Sequence, residues 1–384
     1  MEIKRARKGN NDLLRHHNRA LIVNLLRRKG PLSRAELSRL TGLAPSALSR
    51  LSAALISQGL VRELGKTPSS SGRPPILLGL NPDYAFSIGV KIEARRILAA
   101  RVNLLGQVQE EEAVPFDDPS PGDVLPVLEQ AIRRVFRGKV LGIGIAVSGF
   151  VDSVAGVCLF SPILGWHGVE LAHPLEERFE VPVHVENDVN ALTLAEARYG
   201  AGRELSDFLC VTVGEGLGAG IVIGGRLYRG AFGGAGEFGH TLFDPRGPRC
   251  RCGERGCLEV FASDQFLRRE ADALGLSSVE ALAARARGGD PAAGAAFRAL
   301  GGNLGYGLKD LVNLLNPEAI VIGGERTITD GDLFVPYAEE VLRKHAFAGA
   351  AERVRLVRAE LGEEGFLVGA AEVFVESFFA APLG

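Results

Sequence analysis

Charge is divided so unevenly along this chain that it must build at least two pieces with opposite surroundings. Residues 1–80 carry 15 Lys and Arg against 4 Asp and Glu, a balance of +11. The remaining residues carry 29 against 42, a balance of −13, and the overall net charge of −2 conceals the split. The first piece is suited to a polyanion and the second is not. A nucleic-acid-binding module joined to an acidic globular body is the simplest reading; a solvated basic tail is the plainer alternative. At 384 residues, with 46% hydrophobic and 23% charged, the chain has the make-up of two or three folded domains rather than of a disordered or fibrous protein. No apolar run reaches about 18 residues, so no membrane span is expected. The basic stretch Met1–Lys8 leads into polar Gly9–Asp12 rather than an apolar segment, which argues against a secretory signal. Five cysteines are too few for a disulfide framework, and three lie between Cys250 and Cys257. That bunching suits a metal in a reducing compartment, and together these features point to the cytoplasm.

Within the basic piece, Leu21, Ile22, Leu25 and Leu26 form a helical stripe over Asn18–Arg28, which Gly30-Pro31 stops. Ser33 with Glu36 reads as a capping box opening a second helix, which runs to about Thr41 and closes at Gly42. Pro45 suits the first position of a third helix, with Leu48, Leu51 and Leu55 on one face and an end near Gln58-Gly59. Helix, short turn, helix is a helix-turn-helix, whose second helix meets the major groove by its N-terminal half. Ser46, Ala47, Ser49 and Arg50 lie there, off the apolar face. Arg50 can make a bidentate contact to guanine, and the serines can reach bases or phosphates. Leu60–Leu64 and Ile76–Leu80 read as two strands joined by a polar wing. The wing carries Ser71-Gly72-Arg73-Pro74, with Arg73 suited to a narrow minor groove. Residues 1–80 therefore read as a winged helix-turn-helix for double-stranded DNA.

The acidic body alternates strands with helices, an α/β pattern. Strands are expected at Ser87–Val90, Ile97–Val102, Val140–Val147, Val181–Glu186, Phe208–Val213, Gly220–Ile223 and Ala319–Ile322. Helices are expected at Val124–Phe136, Ala191–Tyr199, Val279–Arg287 and Gly305–Leu315. A linker falls near Leu80–Tyr84 and a second division near Tyr199–Ser206. Three motifs carry chemistry. Glu186-Asn187-Asp188 closes a strand and opens a helix, where Asn187 and Asp188 can grip vicinal hydroxyls or can merely cap the helix. Gly214-Glu215-Gly216-Leu217-Gly218-Ala219-Gly220 can cradle a phosphate or turn a hairpin, and a carboxylate at Glu215 opposes the phosphate. Glu237-Phe238-Gly239-His240, followed by Cys250, Cys252 and Cys257, offers three thiolates and an imidazole for a structural Zn²⁺, with free thiols as the alternative. Four ligands close the tetrahedron, so such a zinc is not catalytic; it would hold His240 and Glu259 facing the crevice beside Glu237.

These motifs, in this order and spacing and over nearly the whole chain, resemble the ROK family of sugar-responsive repressors and sugar kinases. The resemblance implies two lobes of the actin-like ATPase type with a sugar between them. The first lobe would be residues 81–200, completed by a C-terminal helix at about 367–384, and the second residues 201–366 with the zinc. It implies that Asn187, Asp188, Glu237, His240 and Glu259 contact sugar hydroxyls, with one His240 nitrogen on zinc and the other on sugar, and that Val147-Ser148-Gly149 lines the site. In the kinases the position of Asp188 is the general base. Two departures separate this chain from them. Lys91-Ile92-Glu93-Ala94-Arg95-Arg96 stands where kinases carry an Asp-x-Gly-Gly-Thr-Lys loop, and Glu215 stands where they usually carry Thr. Without both phosphate loops, transfer is expected to be lost. The resemblance therefore implies a homodimeric or homotetrameric repressor that binds operator DNA and a sugar but not ATP. An ATP-dependent sugar kinase using Asp188 is the alternative.

Overall fold

The structure, a computed structural model, describes residues 2–66 and 75–380. Helix α1 spans Glu2–Lys29. It starts at Glu2 rather than Asn18, because the apolar stripe marks only the part whose Ile22, Val23 and Leu26 are buried. Helix α2 (Arg34–Thr41) opens on the reciprocal Ser33–Glu36 capping box and closes at Gly42 in the left-handed region, φ 71°. Such a box stabilises a short helix by about 1 kcal/mol. Helix α3 (Pro45–Ser57) follows, with Leu48, Leu51 and Leu55 inward. Strands β1 (Leu32–Ser33), β2 (Val61–Lys66) and β3 (Ile76–Leu80) form an antiparallel sheet in the order β1-β3-β2, one short strand more than expected. The wing tip with Ser71, Gly72, Arg73 and Pro74 lies outside the described residues.

The body repeats one plan twice. Strands β4 (Phe86–Ile92), β5 (Arg96–Asn103), β6 (Val108–Pro115), β7 (Val140–Val147) and β11 (Val183–Asn187) form a sheet ordered β11-β7-β4-β5-β6. Strands β12 (Phe208–Val213), β13 (Leu217–Ile223), β14 (Arg226–Leu227), β15 (Ala319–Gly323) and β16 (Arg355–Arg358) form another, ordered β14-β13-β12-β15-β16. Each is an antiparallel meander extended by two parallel strands. A small sheet of β8 (Phe150–Asp152), β9 (Val157–Ser161) and β10 (Trp166–Glu170) sits beside the first. Its strands are too short to show a period in sequence.

Helices α4 (Pro121–Val135) and α5 (Ala172–Phe179) pack on the first sheet; α7 (Asp264–Ala273), α8 (Val279–Arg287), α9 (Pro291–Leu315) and α10 (Glu325–His345) belong with the second. Helix α9 starts at Pro291, not Gly305: its internal glycines lower helix propensity but are where α10 crosses. A Cβ at Gly301 would stand 2.3 Å from the Phe334 carbonyl oxygen. Helix α6 (Asp188–Tyr199) begins at Asp188, three residues before its expected start. Helix α11 (Glu364–Ala380) lies on β4 and β7, and Cβ atoms at Gly89 and Gly144 would fall 1.9 and 1.8 Å from the Leu367 and Ala370 carbonyl oxygens. No helix of the described residues is long and apolar enough to cross a membrane.

Candidate functional site

Five parallel strands bring their carboxyl ends to one cleft, where open α/β sheets place ligands. Residues at or just past the ends of β4, β7, β11, β12 and β15 line a cavity of about 1130 Å³. The sequence-selected Asn187, Asp188, Glu237, His240 and Glu259, with Ser148 and Gly149, all face it.

Their roles are not equal. Asn187 is the N-cap of α6: its Oδ1 accepts from the Asn190 amide at 3.1 Å and its Nδ2 donates to the Gly149 carbonyl at 3.0 Å. The cap reading thus holds for Asn187, leaving one amide hydrogen for a ligand. Asp188 accepts from the Val189 amide at 3.0 Å and from its own backbone amide. Burial raises its pKa, partly opposed by Lys91. Glu237 is likewise raised, by desolvation first, with Asp188 and Glu259 adding to it and His240 opposing. Glu259, expected to present free oxygens, is instead tied down. Its Oε2 accepts from the Leu217 amide at 3.1 Å and its Oε1 from Gln265 Nε2 at 2.8 Å.

His240 and the three cysteines come together as expected, with ligand atoms all within 4.8 Å of one another. Cys252 and Cys257 Sγ are 3.7 Å apart, and Cys250 Sγ is 3.7 Å from His240 Nδ1. Sulfurs bound tetrahedrally at about 2.3 Å would lie roughly 3.8 Å apart, so the set fits a metal ion bonded at that distance. Gly256, at φ 72°, makes the wrap possible: a Cβ there would meet the Asp244 carbonyl oxygen at 1.7 Å. Burial pushes the Cys257 thiol up to about 11, so a bound cation is what would make it a thiolate. His240 points Nδ1 at the thiols and Nε2 towards Glu237 Oε2, 3.9 Å away.

At the other end of the cleft the two altered loops are closed by ion pairs. Gly214-Glu215-Gly216 is the hairpin turn between β12 and β13, with the Gly214 amide donating to the Gly216 carbonyl at 3.0 Å. Glu215 accepts from Arg251 at 2.8 Å and Arg268 at 2.9 Å. Glu93, in the β4–β5 turn, pairs with Arg96 and, at 3.1 Å, with Lys91. Lys91 also lies 3.7 Å from the centroid of the Phe366 ring. Phe366, Arg268 and Gln265 were missed by sequence reasoning; they come from elements distant in the chain and carry no local motif. Glu186 was read only as part of its motif. It is buried and accepts from Arg229 Nε at 2.7 Å, joining the two halves of the body.

On the basic module, Ser46, Ser49 and Arg50 are exposed on the first turns of α3 and Ala47 is partly so. The module does not close its own core: Ile22, Leu26, Leu48 and Leu55 pack in one cluster with Val375 and Phe379 of α11.

A winged helix-turn-helix carried on a two-lobed, actin-like body defines the class: a DNA-binding protein with a ligand cleft. Residues 15–62 match the winged helix-turn-helix DNA-binding family and residues 87–377 match the ROK family. The chain belongs to the ROK family. It is 30% identical to the xylose repressor of Caldicellulosiruptor bescii, over 97% of this chain and 99% of that one. The crystal structure of a ROK family transcriptional regulator, a homologue of the E. coli MLC protein, superposes with a TM-score of 0.80 at 29% identity, covering 95% of this chain and 97% of that one. The ROK glucokinase of Streptomyces griseus, in complex with glucose and AMPPNP, superposes with a TM-score of 0.68 at 34% identity. It accounts for 75% of this chain while 98% of the kinase is covered.

Proposed function

We propose that this protein is a sugar-responsive transcriptional repressor and not an enzyme. One observation carries the reading: a winged module and a sugar-type cleft share one chain, while both loops at the far end of that cleft are occupied by ion pairs. The named repressor and the MLC-related regulator cover 97% and 95% of this chain, whereas the glucokinase covers 75% of it.

In this reading Asp188 and Glu237 accept sugar hydroxyls, His240 donates from Nε2, and Asn187 offers its remaining amide hydrogen. Glu259 holds the wall by fixing the Leu217 amide. The His240–Cys250–Cys252–Cys257 cluster holds a structural Zn²⁺. That ion would supply a fixed positive centre that orients His240, and no chemistry beyond it. Ion pairs among Lys91, Glu93, Arg96, Glu215, Arg251 and Arg268 occupy both loops and set two carboxylates where a triphosphate would lie, so ATP is not a ligand and Asp188 is not a general base here. Ser46, Ala47, Ser49, Arg50 and Arg73 contact the operator. Residues 1–80, 81–200 with the C-terminal helix, and 201–366 act as the three units, in the cytoplasm. A homodimer or homotetramer would read half-sites about 34 Å, or a multiple, apart.

The test is operator affinity, by fluorescence anisotropy on a fragment recovered by in vitro selection, across hexoses, pentoses and amino sugars. At least one sugar is expected to change the Kd about fivefold or more. No change with any of them would overturn the reading.

A further inference from the structure

Helix α6 has the cleft at one end and the DNA-binding module at the other. Its N-terminal residues are Asn187, the cap, and Asp188. Its last two, Arg198 and Tyr199, lie about 18 Å away for a helix of 12 residues. There the Tyr199 hydroxyl donates to Glu372 Oε2 of α11 at 2.8 Å and accepts from Arg27 Nη2 of α1 at 3.2 Å. Arg27 also pairs with Glu372, and Arg198 Nε reaches the same carboxylate at 3.3 Å. The side chains of Arg27 and Glu372 are 1% and 4% exposed. One ion pair, almost fully out of water, thus joins the DNA-binding module to the body.

Two further features make this joint mechanical. Helices α6 and α11 touch backbone to backbone: a Cβ at Gly369 would fall 1.7 Å from the Ala191 carbonyl oxygen. An axial or rolling shift of α6 therefore cannot be absorbed by side chains between the two helices. The joint is also incompletely satisfied. Arg27 Nε and Nη1 are buried and meet no acceptor among the described residues. A buried guanidinium with unpaired hydrogens is costly, so a second arrangement of this cluster can compete with this one.

We propose that α6 and the Arg27–Glu372–Tyr199 cluster transmit occupancy of the cleft to the orientation of the DNA-binding module, with Tyr199 and Glu372 as positioning residues; this rests on the reading of the cleft as a sugar site. A ligand held at Asn187 and Asp188 biases the N-terminus of α6. Tyr199 carries the displacement to Glu372, and Glu372 carries it to Arg27 and hence to α1. The cluster touches neither sugar nor DNA, so its loss is felt in the coupling between them.

Tyr199→Phe keeps the ring under Gly106 and removes only the hydroxyl; Glu372→Gln removes the charge. In the full-length protein, sugar affinity without DNA is expected to stay within about twofold of wild type for both. The sugar-induced change in operator affinity should shrink about fivefold or more towards no effect. An unchanged sugar effect in both variants overturns the proposal, since a merely structural role would lower stability without touching that ratio. A second arm needs no sugar. Operator affinity is measured for Asn187→Ala in the wild-type and Tyr199→Phe backgrounds. The effect of Asn187→Ala is expected to differ about threefold or more between them. Equal effects, zero included, overturn the coupling. If no sugar moves the wild-type operator affinity, the sugar reading fails by itself, and this second arm still decides whether the two ends of α6 are coupled.

Discussion

The two ends of the cleft hold the same kind of residue in opposite states. At one end Asp188, half-buried, and Glu237, with its side chain 42% exposed, have no arginine or lysine within ion-pairing distance among the described residues, and both are pushed towards their neutral forms. At the other end Glu93 and Glu215 each bind two cations, and both are held below the usual carboxylate range despite burial. A carboxylate already paired has nothing left to offer a ligand, and a guanidinium already paired offers little to a phosphate. A carboxylate without an ion pair still has lone pairs to offer to a hydroxyl brought to it. One cleft is thus open to a polyhydroxy ligand at one end and chemically closed at the other.

The largest effect separating the two ends should come from the metal cluster, which places His240 at one of them and reaches the other only through Arg251, between Cys250 and Cys252, on Glu215. Cys257→Ser is expected to release bound zinc and weaken sugar binding about 10- to 100-fold, while operator binding by the basic module survives. Metal analysis and calorimetry check this; full metal content in the variant would show that the ligand set is wrong.

A paired substitution sharpens the contrast. Asp188→Asn is expected to cost sugar binding about 1.5 kcal/mol, the lower end of the usual worth of a hydrogen bond to a charged group, because burial already favours the neutral carboxyl. Glu215→Gln, at the closed end, should leave sugar affinity within about twofold. Similar losses in both would mean that the sugar spans the whole cavity and that the division of the cleft is mistaken.

How much of this was legible beforehand depends on where the information sits. The capping box at Ser33–Glu36, the three helices around it and the Cys250–Cys257 run announce themselves because each is local in sequence. The twice-repeated sheet plan is not local. Strands β6 and β16 sit at sheet edges with mixed polarity, and α11 is so uniformly apolar that it shows no amphipathic period. Among the site residues, Asp188 and His240 were legible as motif members. The engagement of Glu259 with Leu217 and Gln265 was not, because it depends on α7 packing against the β12–β13 turn. Lys91 was read only as a departure from a phosphate loop, and its packing on Phe366 joins residues far apart in the chain.

The smallest effect is on pH dependence. Burial raises Asp188, so its neutral form is favoured in the folded chain and its contribution to stability is present below the ordinary carboxyl pKa. That contribution is lost as pH rises through the elevated value. Asp188→Asn removes the titration. Its melting temperature should therefore gain on that of wild type as pH rises from about 4 towards neutrality, in the absence of sugar. A constant difference across that window would mean that Asp188 is not desolvated.

The division of the cleft is tested most directly by titrating one preparation of the full-length protein, in parallel, with the responding sugar and with Mg-ATP. The sugar should bind to saturation, with no heat from ATP and no release of ADP when both are present. Saturable ATP binding, or ADP formed with the sugar at ordinary enzyme rates above about 1 per second, would contradict it.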